Sequence, residues 1–154
     1  MKKKDAPVGG TVTASYPKDK GTTNMTDDAE ANAEAIGLDS DLFNVVASKN
    51  TGSSTICGLN NAGYIALYCN KNTSDGGSIE FIIDSDYVID SIVISWKQNG
   101  QYAKVTDASG SVVTAVNNVY TINGSSFKIQ DIANQTSSTQ VHIYSIEITY
   151  SAKA

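Results

Sequence analysis

The run YVIDSIVISW, from Tyr87 to Trp96, decides the class of this fold. Ile92, Ile94 and Trp96 recur at every second position, the period of a strand that buries one face. A second run, HIYSIEITY from His142 to Tyr150, carries the same signature: an isoleucine, Ser-Ile-x-Ile, a small hydroxyl residue and an aromatic. Its Ile146, Ile148 and Tyr150 occupy the matching face. The two runs are predicted core strands. The same alternation turns Ile65 and Leu67 inward and Tyr64, Ala66 and Tyr68 outward. It also sets Ile79, Phe81 and Ile83 against outward Ser78, Glu80 and Ile82. A slip of one residue in any strand would invert its assignment.

Outward from these runs the period of two persists. LFNVVAS (42–48), YIALYC (64–69), SIEFIID (78–84), QYAKVTD (101–107), SVVTAV (111–116), VYTI (119–122), SFKIQDI (126–132) and TQVHIYSIEITY (139–150) read as strands parted by Asn, Gly, Ser and Asp clusters. Val12, Ala14 and Tyr16 alternate with polar residues in a first strand that Pro17 ends. One helix precedes the main strand series. Thr26 is its expected cap, Asp27 and Asp28 put carboxylates at the positive end of its dipole, Ala29, Ala33 and Ile36 share a face, and Gly37 stops it. Nine or ten strands and one short N-terminal helix predict an all-β fold: a two-sheet antiparallel, jelly-roll-like sandwich. Residues 1–10 are expected to form a flexible leader, 11–150 the domain and 151–154 a tail.

The chain has 154 residues, 40% hydrophobic and 18% charged, which suits one domain. Its formal net charge is −5, and all 11 basic residues are lysines, so the bidentate arginine contacts that dominate phosphate and base recognition are missing. No nucleic acid partner is expected. No apolar run reaches the roughly 18 residues of a membrane span, and nothing at the start reads as a signal peptide, so no membrane insertion is expected either. The Ser, Thr, Asn and Gly content points to an extracellular, cell-surface or virion-surface setting. Sequons at Asn24, Asn72, Asn123 and Asn134 are weak in so Asn-rich a chain.

Few residues carry chemistry. The single His142 lies at the start of a strand with no nucleophile motif in view, so the chain is not read as an enzyme and no catalytic residue is assigned. Asp84, Asp86 and Asp90, with Asp75, supply the hard oxygens calcium prefers, but their spacing matches no known loop; a turn rich in aspartate is the alternative, and no metal or cofactor is assigned. Cys57 and Cys69 flank a hairpin. If it centres near Gly63 the cysteines face each other and a disulfide is possible; two buried thiols are the other reading. Carbohydrate recognition uses exposed aromatic rings beside hydrogen-bonding side chains. Tyr64 and Tyr68, outward and roughly 13 Å apart on an extended strand, are the candidate ligand-binding pair. Tyr87 and Tyr102 are further candidates, while the register of Trp96 turns it toward the core.

The segments GTTNMTDDAEANAEAIGLDSDLFNVVASKN, GLNNAGYIALY, YTINGSSFKIQ and VHIYSIEITY resemble a β-domain of secreted and surface proteins from gut Firmicutes and Bacteroidetes. Gly37-Leu38-Asp39, Gly58-Leu59-Asn60 and the closing Ser145 to Tyr150 carry the likeness, which spans residues 21–150. The resemblance implies a non-catalytic accessory module with no catalytic residues to carry over. The expected function is therefore extracellular binding or adhesion, with a glycan or a protein surface as partner. The alternative is a structural or decoration protein in an assembly such as a bacteriophage virion, with Lys2, Lys3 and Lys4 in the leader or an edge strand docking to a neighbour.

Overall fold

The two longest strands, β7 (Tyr87–Gln98) and β11 (Val141–Ala152), pair antiparallel along their whole length. They form the spine of a seven-stranded sheet. On the far side of β7 lies β9 (Tyr120–Gly124). The other edge of β11 is shared: its first residues pair with β5 (Tyr64–Leu67), its later ones with β1 (Gly10–Ala14). Beyond β5 come β4 (Gly58–Asn60) and the two-residue β2 (Thr23–Asn24). A second sheet runs β3 (Phe43–Ser48), β6 (Ser78–Ile83), β10 (Ser126–Asp131) and β8 (Ala103–Asp107). This structure, a computed structural model, describes residues 6–52, 56–134 and 139–154. The leader's Lys2, Lys3 and Lys4 lie outside the described residues.

Both sheets bury their inner faces in one core, as an all-β sandwich must. Ile65, Leu67, Ile79, Phe81, Ile83, Ile92, Ile94, Ile146 and Ile148 are all buried, as alternation predicts. Trp96 is half-buried and packs against this core. Ala66 faces outward, yet it is buried too, a small side chain flanked by Tyr64, Tyr68 and His142.

The helix α1 (Ala29–Ala35) starts later than its sequence suggests. Asp28 is the N-cap, accepting the Ala31 N–H at 3.0 Å, while Thr26 Oγ1 accepts the Asp28 N–H one step upstream. Gly37, at φ +83°, ends it in the left-handed conformation that glycine tolerates best. Asn32 is buried; its amide donates to the carbonyls of Thr26 and Val45, and its oxygen accepts the Thr26 N–H. That side chain ties the helix to β3, an edge strand, and satisfies a carbonyl that would otherwise invite pairing.

Three expectations are corrected. SVVTAV is not a strand: residues 111–116 cross from the edge of one sheet to the edge of the other and make only isolated bridges, Thr106 with Val112 and Val116 with Val119. Too few ladder partners lie along that path. The strands also overrun the expected domain limits, since β1 begins at Gly10 and β11 continues through Ser151 and Ala152, paired with Val88 and Tyr87. Finally, Cys57 and Cys69 are free thiols. Asn60 pairs with Tyr64 and Gly58 with Ala66, so the hairpin centres on Ala62 and the register extends to set Leu67, not Cys69, opposite Cys57. Burial raises the Cys57 thiol well above its ordinary value.

Candidate functional site

The outward face of β5 and its neighbours brings aromatic and polar side chains together. Tyr64 stacks on His142, with ring centroids 4.2 Å apart and planes inclined by 24°. His142 sits opposite Ala66, and that small neighbour leaves room for the imidazole to lean toward Tyr64. Its Nε2 bonds the Gln140 Oε1 at 2.8 Å, an acceptor that requires the proton on Nε2; Nδ1 is then buried without a partner among the described residues. Burial, and secondly the nearby Lys97 charge, hold His142 below the usual imidazole range, so the ring is neutral at pH 7. The Lys97 ammonium lies 5.1 Å from the Tyr64 centroid.

Two β-bulges complete this face. His142 pairs with Gln98 and Ile143 with Trp96, so β7 spends one extra residue there, Lys97. Ile143 pairs with Trp96 and Ser145 with Ser95, so β11 spends one extra, Tyr144. A bulge re-aims the residue it inserts. Lys97 is exposed and Tyr144 is 48% exposed, the latter reached by extending the β5 pairing one step, to the position beside Tyr64. Sequence reading did not single out either residue. The signal was present in the apolar spacing of β11: Val141 and Ile143 lie two apart, Ile146 and Ile148 two apart, but Ile143 and Ile146 three apart.

The candidate tyrosines separate. Tyr68 belongs to the same outer face as Tyr64 but lies low, its hydroxyl over Gly58, where an added β-carbon would overlap it. Burial raises its phenol, with smaller contributions from Cys57 and Tyr64. Asn24, Asn60, Tyr64, Tyr68 and Gln140 line a hollow of about 50 Å³, far below the several hundred Å³ of an enclosing pocket. A ligand here lies across the face. Tyr87 stands at the other end of β7, ten residues and roughly 30 Å from Lys97, edge-on to Tyr150 at 5.7 Å. Tyr102 lies in a 3-10 turn (Gly100–Tyr102) and packs against the core, its carbonyl accepting the Ile132 N–H at 2.9 Å. Neither joins the Tyr64 face.

The aspartates separate as well. Asp84 and Asp86, with Asp39, Asp41 and Tyr87, line an open cleft of about 520 Å³. Asp84 Oδ2 accepts the Asp86 N–H in an ordinary Asx turn, Asp90 accepts from the Ser151 hydroxyl, and Asp75 is bonded by Thr51 and Gln130. Among the described residues no three His, Cys, Asp or Glu side chains are placed to hold a metal ion. No helix among them is long and apolar enough to cross a membrane. The chain matches no protein-family model, and no curated protein or solved structure is significantly similar to it.

Proposed function

We propose that this domain is a non-catalytic extracellular binding module and that the Tyr64 face of its seven-stranded sheet binds carbohydrate. The observation that carries the reading is the pairing of a pre-ordered ring with an open one. Tyr64 is held by the His142 stack, and Tyr144 is turned to solvent beside it by the β11 bulge. Asn60, Gln140 and Lys97 border the rings with donors and acceptors suited to sugar hydroxyls. Stacking on rings that are already ordered costs little side-chain entropy. The resemblance to accessory β-domains of surface proteins supports the same reading. Tyr68 contributes the floor beneath the ligand; Tyr87 and Tyr102 lie apart from it. A glycan array probed with the wild type and a Tyr64→Ala, Tyr144→Ala double variant tests this. Binding is expected to disappear in the variant while its circular dichroism and Tm stay native. Absence of any glycan binding by the wild type overturns the proposal.

A second reading, a structural or decoration role in an assembly such as a virion, has its own observation. Val112 and Val116 are 65% and 71% exposed on the crossing between the sheets. They stand beside a groove of about 410 Å³ lined by Val105, Val113, Ala115, Tyr120 and Ile132. An apolar rim of this kind suits a protein partner. Pull-down of a defined neighbour that Val112→Asp abolishes would favour this role.

A further inference from the structure

We infer that the Tyr64 face selects anionic glycans, with Lys97 as the residue that reads the charge. The inference rests on the carbohydrate reading above and adds the class of sugar. Alternation with inward Ile92, Ile94 and Trp96 turns Lys97 to the outer face, and the β7 bulge leaves it as the extra residue between the pairs Trp96–Ile143 and Gln98–His142. Among the described residues its ammonium is engaged by the Tyr64 ring and by no carboxylate, although the chain has 16 acidic residues. His142 is neutral at pH 7, held down by burial and then by Lys97 itself, so the lysine is the positive charge of the cluster. Glu147 is an exposed acid on the same strand, three residues beyond Tyr144. That puts it roughly 10 Å away, about one screening length in physiological salt.

A sugar ring stacked on the open Tyr144 ring carries an acid substituent at its rim, toward Tyr64. The Lys97 ammonium, over the Tyr64 ring at 5.1 Å from its centroid, is the charge beside that contact. A carboxylate or sulfate there makes a charge-assisted hydrogen bond with Lys97 while the pyranose keeps its aromatic contact. A lone lysine in a chain of net charge −5 suits one anionic group per contacted ring and does not suit the dense charge of nucleic acid.

Affinity electrophoresis and calorimetry with polygalacturonate, a sulfated galactan and a neutral galactan test this on the full chain. Wild type, Lys97→Met and the Tyr64→Ala, Tyr144→Ala double variant are compared. The expected result is binding of at least one anionic polymer that weakens with added salt. Lys97→Met, which keeps an apolar chain over Tyr64, should lower that affinity about tenfold and lower any neutral binding by far less, since only one hydroxyl contact is lost there. Preference for polygalacturonate or for the sulfated polymer identifies the acid group. Equal binding of the anionic polymers by Lys97→Met overturns the inference. Tyrosine-dependent binding that favours the neutral polymer also overturns it, and leaves the carbohydrate reading standing. Binding of none of these polymers overturns the inference, while the glycan array decides the carbohydrate reading separately.

Discussion

Asp131 has an environment its side chain ordinarily avoids. It is fully buried at the end of β10; Oδ1 accepts the Ala133 N–H at 2.9 Å, and Oδ2 has no hydrogen-bond partner among the described residues. Burial raises its carboxyl to about 6, against the opposing pull of the Ala133 and Val141 N–H groups. Between the unfolded value near 3.8 and this native value, the folded state holds a proton that the unfolded state has released. Stability from this group is therefore full below the unfolded value and is lost as pH rises through about 6. Asp131→Asn should raise the Tm at pH 7 and flatten its fall between pH 4 and 6 in calorimetric scans; an unchanged profile would refute this. His142 has the opposite sign. Its native pKa is depressed, so its contribution is present above the unfolded imidazole value and is lost as pH falls through the native one. His142→Phe keeps a ring against Tyr64 and should reduce the loss of Tm just below pH 6.5. Parity along β5 made Tyr64 and Tyr68 legible as outward residues. Lys97 shares the outward parity set by Ile92, Ile94 and Trp96, but its place over Tyr64 comes from strand pairing, and Tyr144 was hidden because the β11 bulge reverses the parity set by Ile146 and Ile148.

Elements show the same division between local and paired information. The position of α1 was legible from its aspartates, its alanine face and Gly37, but the cap moved from Thr26 to Asp28. Asp28→Ala should cost about 1 kcal/mol in urea unfolding. Asn32, an unremarkable polar residue in the sequence, makes three hydrogen bonds that join α1 to the Thr26 turn and to β3. Asn32→Ala leaves a buried Val45 carbonyl without that donor and should cost about 2 kcal/mol or more; a loss below that of Asp28→Ala would contradict its bridging role. The β4–β5 hairpin was legible, but its centre was displaced by one residue, which was enough to part the cysteines. Two free thiols should be counted after unfolding without reductant, with Cys57 unreactive to iodoacetamide in the native state because it is buried and its thiol is raised. Dithiothreitol should leave Tm unchanged.

For the whole molecule, stability depends on the core that the two sheets share. Phe127 and Phe81 face each other across β10 and β6 and stack at 4.7 Å with planes 9° apart, both fully buried. Phe127→Ala should cost about 3–5 kcal/mol, seen as a lower urea midpoint with an unchanged m-value. This loss would be a large fraction of the total for a domain of this size. The outer-face substitutions Tyr144→Ala and Lys97→Met should leave the midpoint within about 0.5 kcal/mol, which separates binding effects from folding effects. Both longest strands, β7 and β11, were legible as core strands because their isoleucines alternate.

By itself the sequence determined the fold class, the buried face of each principal strand, the presence of one short helix and the outward direction of Tyr64. Each of these is a local property, set by side-chain period and turn chemistry within a few residues. Only the tertiary structure decided that the hairpin centres on Ala62, that residues 111–116 cross between sheets, and that Tyr87 and Tyr64 lie at opposite ends of the molecule. It also decided that Lys97 and Tyr144 join the Tyr64 face. The physical reason is that bulges and register arise from hydrogen bonds between strands far apart in the chain, so a single segment shows at most a break in spacing, as between Ile143 and Ile146, and not the partner that accommodates the extra residue.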